Sequence, residues 1–174
     1  MRPIQDLFPQ LAEPRNVAVT MHQKPDADAM GSSLALALFL RRLGHNVTVI
    51  SPTNWAKWLN WMPGCNEVID YETNRAKVDG MLDGVQWLFC LDFNIFHRAK
   101  HLAVKLKDMS CTKILIDHHQ EPDAPSFDYG ISDWTKSSTS EMVYDFIIGS
   151  GYGDKITEAI VECIYAGVVA DTGS

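Results

Sequence analysis

Basic residues are scarce: 15 lysines and arginines stand against 22 aspartates and glutamates in 174 residues, a formal charge of −7. That balance excludes a broad basic face that wraps long nucleic acid, because such binding depends on neutralising many phosphates at once. Short, small anionic substrates stay open. No CxxC pair or zinc-finger spacing links Cys65, Cys90, Cys111 and Cys163. A thiolate zinc site is therefore excluded, and reduced, mostly buried thiols in a cytoplasmic protein are expected. The longest apolar run, Leu34 to Leu40, falls far short of the roughly 20 residues that span a bilayer. The opening MRPIQDLFPQLAEPRN has no uninterrupted apolar core of a signal peptide. Neither membrane insertion nor export is expected. Repeats, low-complexity tracts and flexible linkers are also missing, and the 46% apolar content suits one domain over residues 1–174.

What is present is an alternation. Asn16 to Thr20 (NVAVT), Asn46 to Ser51 (NVTVIS), Val85 to Leu91 (VQWLFCL) and Lys113 to Ile116 (KILI) are short, β-branched or apolar runs that read as buried strands. Weaker strand signals lie at Glu67 to Tyr71 and Phe127 to Ile131. Between them, Gly31 to Leu43 reads as a helix closed by Arg41, Arg42 and Gly44, and Lys100 to Lys107 as another. Ser138 opens a further helix with Glu141 three residues on, as in a capping box, and Ile156 to Ala170 forms the last. The pattern predicts an α/β fold with a mostly parallel five- or six-stranded sheet and helices on both faces. Trp55, Trp58 and Trp61 recur at helical spacing; packing of one apolar face of a short helix or turn on the domain is the expectation, with base stacking or an interface as the alternative.

In such sheets ligands gather beyond the carboxyl ends of the strands. His22, Asp26 and Asp28 follow the first strand, Asp92 follows the Val85 strand, and Asp117, His118 and His119 follow the Lys113 strand. One edge thus collects aspartates and histidines with few basic residues beside them, the composition of a divalent-cation site. Each element alone has a plainer reading, such as Asp28 capping its helix and Asp26 solvated. The serine-rich run at Ser138 reads first as a cap, with a hydroxyl or Glu141 supporting the site as the alternative.

HQKPDADAMGS at His22 to Ser32, Leu91-Asp92, the DHH triplet at Asp117 to His119 and AGVVADTGS ending at Ser174 resemble, in order, the four motifs of the DHH phosphoesterase family. The similarity covers essentially the whole chain. It is greatest to the bacterial type described as nanoRNase, phosphoadenosine-phosphate phosphatase or exopolyphosphatase-related. The resemblance implies two divalent ions, manganese first and magnesium or cobalt as substitutes. It places His22 and Asp26 on one ion, Asp28, His118 and Asp171 on the other, and Asp92 on both. Asp117 would orient a histidine ring or a turn, while His119 would contact the scissile phosphate, with Asp92 and His119 as the catalytic pair. Arg98 follows the bridging aspartate on the same edge and is a candidate for a substrate phosphate, beside the plainer reading of a surface arginine.

The implied reaction is two-metal hydrolysis of phosphodiester or phosphomonoester bonds in short oligoribonucleotides and phosphoadenosine phosphate. A pyrophosphatase or polyphosphatase, a cyclic-dinucleotide phosphodiesterase and a non-catalytic nucleotide-binding module are the alternatives. A homodimer is compatible with the sequence. Relatives of this type carry a second domain with a glycine-rich, histidine-containing motif. No such motif stands in these 174 residues, so the chain is expected to be the catalytic part of a longer protein.

Overall fold

In the computed structural model, which describes residues 1–173, the apolar runs become the middle of one seven-stranded parallel sheet. Its strands are β1 (Arg2–Pro3), β2 (Asn16–Thr20), β3 (Asn46–Ser51), β4 (Ile69–Asp70), β5 (Trp87–Leu91), β6 (Thr112–Asp117) and β7 (Tyr129–Ser132). They lie in the order β1-β7-β6-β5-β2-β3-β4. The sheet is wider than the five or six strands expected because Arg2–Pro3 pairs with Tyr129 and Gly130. Two residues give too little sequence for a period to show, and here the partner strand supplies the order.

Among the described residues the α-helices are α1 (Ala27–Arg42), α2 (Tyr71–Leu82), α3 (Leu102–Asp108), α4 (Thr139–Gly149) and α5 (Glu158–Thr172). One hydrophobic cluster, containing Met30, Leu34, Phe39, Phe146 and Cys163, packs α1, α4 and α5 on one sheet face. A second, containing Val78, Leu82, Phe96 and Leu106, packs α2 and α3 on the other. Burial on both faces explains why the central strands are continuously apolar rather than alternating. α2 escapes the periodicity test because only Tyr71, Val78 and Leu82 of its 12 residues are buried. Its start is set by Asp70, whose carboxylate accepts the Glu72 N–H at 2.9 Å.

The tryptophan expectation is corrected. Residues 57–59 and 65–67 are short 3-10 turns, and the buried stripe is Leu59, Met62 and Cys65, also three apart. Trp58 and Trp61 lie beside that stripe and are 62% and 59% exposed, while Trp55 is half-buried with its indole N–H donating to Asn60 Oδ1 at 2.8 Å.

Strand order fixes where the loops diverge. From β2 the chain crosses to β3 on one side, whereas β5 lies on the other and leads to β6. The segments following β2 and β5 therefore part at a topological switch point, where a crevice forms at the carboxyl edge.

Candidate metal centre

The stretch after β2 is shaped by a cap. Asp26 precedes α1 in extended conformation, and its Oδ1 accepts the N–H groups of Asp28 and Ala29 at 3.1 and 3.0 Å. The capping residue is thus Asp26, and α1 begins at Ala27 rather than Gly31. This shift places Asp28 inside the first turn, fully buried and pointed at the sheet edge.

Asp92 directly follows β5 at φ 60°, a left-handed conformation that aspartate tolerates better than most residues. Its two oxygens face different histidines. Oδ2 lies 3.4 Å from His22 Nε2, and Oδ1 lies 3.4 Å from His118 Nε2 and 3.7 Å from His119 Nδ1. His22 Nε2 is also 3.6 Å from Asp26 Oδ2, and His118 Nε2 is 3.3 Å from Asp171 Oδ2 and 3.9 Å from Asp28 Oδ2. Ligand atoms fall into three compact groups: His22 with Asp26 and Asp92; Asp28 with His118 and Asp171; and Asp92 with His118 and His119. Asp171 reaches them from the last turn of α5, while Ser174 of the same motif lies outside the described residues.

The donor set fits divalent cations. Bonds of about 2.0–2.2 Å to nitrogen or oxygen put two ligands of one ion roughly 3–3.5 Å apart, close to the separations found here and too long for good hydrogen bonds. His22 Nδ1 lies 2.7 Å from the Gln23 carbonyl and His118 Nδ1 3.4 Å from that of Lys136. A proton on Nδ1 leaves each Nε2 lone pair facing the carboxylates. Among the described residues, the ion-pair partners of Asp28, Asp92 and Asp171 are histidines; none is lysine or arginine.

Burial and mutual charge shift the titration of these groups. Burial disfavours charge on His22, but Asp26 and Asp92 outweigh it and raise its pKa to about 10. Asp92 likewise raises His118 to about 9 against burial. Burial would raise Asp92 too, yet His118 and His22 hold it well below the usual carboxylate range. Burial and the charge of Asp92 push Asp28 up to about 7 despite its hydrogen bonds. Asp171 is raised by burial and by the charges of Asp92 and Asp26.

The amino end of α4 supports both inner carboxylates. Asp28 Oδ2 accepts the Thr139 N–H at 2.7 Å and Oδ1 the Ser140 N–H at 2.9 Å, while the Thr139 hydroxyl donates to Asp92 Oδ1 at 3.0 Å. Ser138 caps α4 by accepting the Glu141 N–H at 3.0 Å. Glu141 reaches back to Ser137 instead of Ser138, accepting its N–H at 2.9 Å and its hydroxyl at 2.8 Å. The capping reading of this run therefore holds, and the hydroxyl reading holds for Thr139 as well. Sequence alone could single out the run as a helix start, an intrinsic anion site, but not the carboxylate it receives.

Asp117 lies at the end of β6, fully buried, with Oδ1 2.7 Å from His119 Nδ1 and Oδ2 accepting the His119 N–H at 3.2 Å. It fixes the ring and leaves Nε2 as the free nitrogen of a half-buried side chain. Arg98 stands in a short 3-10 turn (Phe96–Ala99) and lines an open cleft with His22, Gln23 and Lys24. Lys24 was not singled out by the sequence, since a lone lysine in a loop carries no pattern.

The model of the DHH family, N-terminal domain, matches residues 16–168. A curated relative, the bifunctional oligoribonuclease and PAP phosphatase NrnA of Bacillus subtilis (strain 168), is 29% identical over 153 residues, covering 87% of this chain and 44% of its own. The crystal structure of an exopolyphosphatase-related protein from Bacteroides fragilis superposes with a TM-score of 0.93 at 34% identity, over 97% of this chain and 50% of that one. RecJ of Thermus thermophilus, solved in complex with Mn2+, shares the fold at a TM-score of 0.50 and 14% identity, over 85% of this chain and 21% of its own. The chain thus spans about half the length of the first two proteins.

Proposed function

Since the chain belongs to the DHH family, we propose that it is the catalytic domain of a manganese-dependent phosphoesterase acting on short oligoribonucleotides and nucleotide phosphates. The observation that carries this reading is the geometry of Asp92, whose two oxygens face the His22–Asp26 and His118–Asp28–Asp171 groups separately. His22 and Asp26 would hold one divalent ion, Asp28, His118 and Asp171 the other, and Asp92 both. When bound, such ions supply an activated water and draw charge from the phosphoryl oxygens. Manganese, with magnesium or cobalt as substitutes, suits imidazole with a carboxylate majority and no thiolate.

The remaining groups act on substrate. With Nδ1 tied to Asp117, His119 presents Nε2 to a phosphoryl oxygen and can pass a proton to the leaving oxygen. Arg98 offers a planar fork for a phosphate. NrnA is described as an oligoribonuclease and PAP phosphatase, and the acidic balance of this chain agrees with short substrates over long strands.

The test is a parallel assay of the full-length protein with manganese on a dinucleotide, phosphoadenosine phosphate, a cyclic dinucleotide and pyrophosphate. Turnover of the first two supports the proposal. Turnover of pyrophosphate or the cyclic dinucleotide alone would replace the substrate class, and no turnover would favour a binding module.

A further inference from the structure

The loop between β7 and α4 carries an aromatic side chain that no core accounts for. Trp134 is 66% exposed and joins neither hydrophobic cluster, and among the described residues no hydrogen bond or ring contact engages its indole. A lone exposed apolar side chain is ordinary on a protein surface. The backbone beneath this one is unusually well fixed for a loop. The Lys136 N–H donates to the Asp133 carbonyl at 3.2 Å, closing a turn with Trp134 at its second position. Asp133 Oδ1 accepts the Thr135 N–H at 3.0 Å and the Thr135 hydroxyl at 2.6 Å. Lys136 Nζ lies 3.1 Å from Glu141 Oε1 and 2.7 Å from Asp145 Oδ2, which ties the turn to α4. A large flat ring thus stands in solvent on a held backbone.

Its place in the sheet identifies the occupant. β6 and β7 end level, with Asp117 beside Ser132, so His119 and Trp134 each stand two residues beyond the same edge. The turn is bonded to the DHH triplet on both sides of Trp134: the Asp133 N–H donates to the Asp117 carbonyl at 3.0 Å, and the Lys136 carbonyl lies 3.4 Å from His118 Nδ1. β7 is two places from β5 in the sheet, which puts Trp134 roughly 10 Å from Asp92 at ordinary strand spacing. One ribose and the indole cover that span between them. Every nucleobase has a π face that stacks on an aromatic side chain without any hydrogen-bond pattern. Pyrophosphate and polyphosphate have none.

We propose that Trp134 is the stacking platform for the base of the nucleotide bound on the His118–His119 side of the metal centre. It is then a specificity-determining residue that favours nucleotides over inorganic phosphate chains, and adenine over the smaller uracil at that position. The assignment rests on the phosphoesterase reading above and adds base recognition to it. Stacking holds the bound substrate and its transition state alike, so its loss raises KM and spares kcat.

The test uses the full-length manganese-loaded protein, its Trp134→Leu and Trp134→Phe variants, a diadenosine dinucleotide, and the two analogues of it that lack one base or the other. In Trp134→Leu the KM for the dinucleotide should rise about five- to tenfold, the lower part of the range for a lost stacking partner, with kcat nearly unchanged. The analogue that lacks the stacked base should not respond, and Trp134→Phe should restore most of the KM. Equal losses on both analogues, or no loss on the dinucleotide, would overturn the platform. A second measurement needs no turnover. The indole N–H signal of Trp134, identified as the one missing from the NMR spectrum of Trp134→Phe, is followed while adenosine 5′-monophosphate is titrated into the full-length protein. A saturable shift supports the platform, and an unmoved signal overturns it. If no compound is hydrolysed, the phosphoesterase reading fails and the titration alone decides the role of Trp134.

Discussion

Asp92 concentrates the chemistry of the chain because a left-handed backbone, two oppositely facing oxygens and a buried charge coincide in one residue. Strain of this kind, worth about 1–3 kcal/mol, persists where the surroundings over-determine it. The Thr139 hydroxyl helps to do so by holding Oδ1 at 3.0 Å. Thr139→Val keeps the shape and removes that bond, and should weaken manganese binding by about 10- to 100-fold, the range for lost outer-shell partners. Thr139→Ser should restore most of it, and calorimetric titration of the metal-free protein reads both. The histidines give a pH signature whose sign is definite. His22 and His118 have folded pKa values of about 10 and about 9, above the ordinary 6.5. Their stabilisation of the metal-free protein is fully present below about 6.5 and is lost as pH rises through 9 and 10. Thermal unfolding under chelator should show Tm falling from pH 6.5 to 10. Added manganese should reverse that fall, because the ion replaces protons the site otherwise binds.

At the scale of elements, α5 matters for how close it comes. A methyl group at Gly31 would run into the Cys163 carbonyl, and one at Gly167 into Ser140 Oγ and the Asp28 carboxylate. The two glycines let α5 lie against α1 and the start of α4, which carries Asp171 to within 3.3 Å of His118. Gly167→Ala should push α5 outward, lower Tm by a few degrees and reduce manganese binding at the His118 side more than at the His22 side. Electron paramagnetic resonance of stepwise manganese titrations separates the two. These contacts also show where sequence reading stops. The central strands and most helices were legible because burial on a parallel sheet imposes long apolar runs. α2 was not, since it buries three side chains, and the 3-10 turns put Leu59, Met62 and Cys65 inside where the tryptophan spacing pointed to Trp58 and Trp61. The sequence order of the motifs placed Asp92, His118 and Asp171 on strand and helix ends. That Asp26 caps α1 while Asp28 receives α4 depended on which of two nearby aspartates faces a helix 111 residues away, a matter of tertiary register alone.

Over the whole molecule, the ends of β2, β5 and β6, the start of α1 and the last turn of α5 bring the ligand candidates together at one edge of the sheet, and the two hydrophobic clusters pack its two faces. Among the described residues no helix is long and apolar enough to cross a membrane, and the four cysteines are free. Under the proposed function, the formal charge of −7 predicts that activity on oligoribonucleotides falls as length grows beyond a few nucleotides, since binding longer strands depends on neutralising more phosphates. A length series from two to about twelve nucleotides at fixed salt checks this. The central claim, however, is that Asp92 joins two cation sites. The most direct measurement is the number of manganese ions bound per full-length protein by equilibrium dialysis, before and after Asp92→Asn, which keeps the left-handed backbone tolerable. The account predicts two ions per chain, reduced to one or fewer in the variant. Fewer than two in the unmodified protein, or two retained after the substitution, would contradict it.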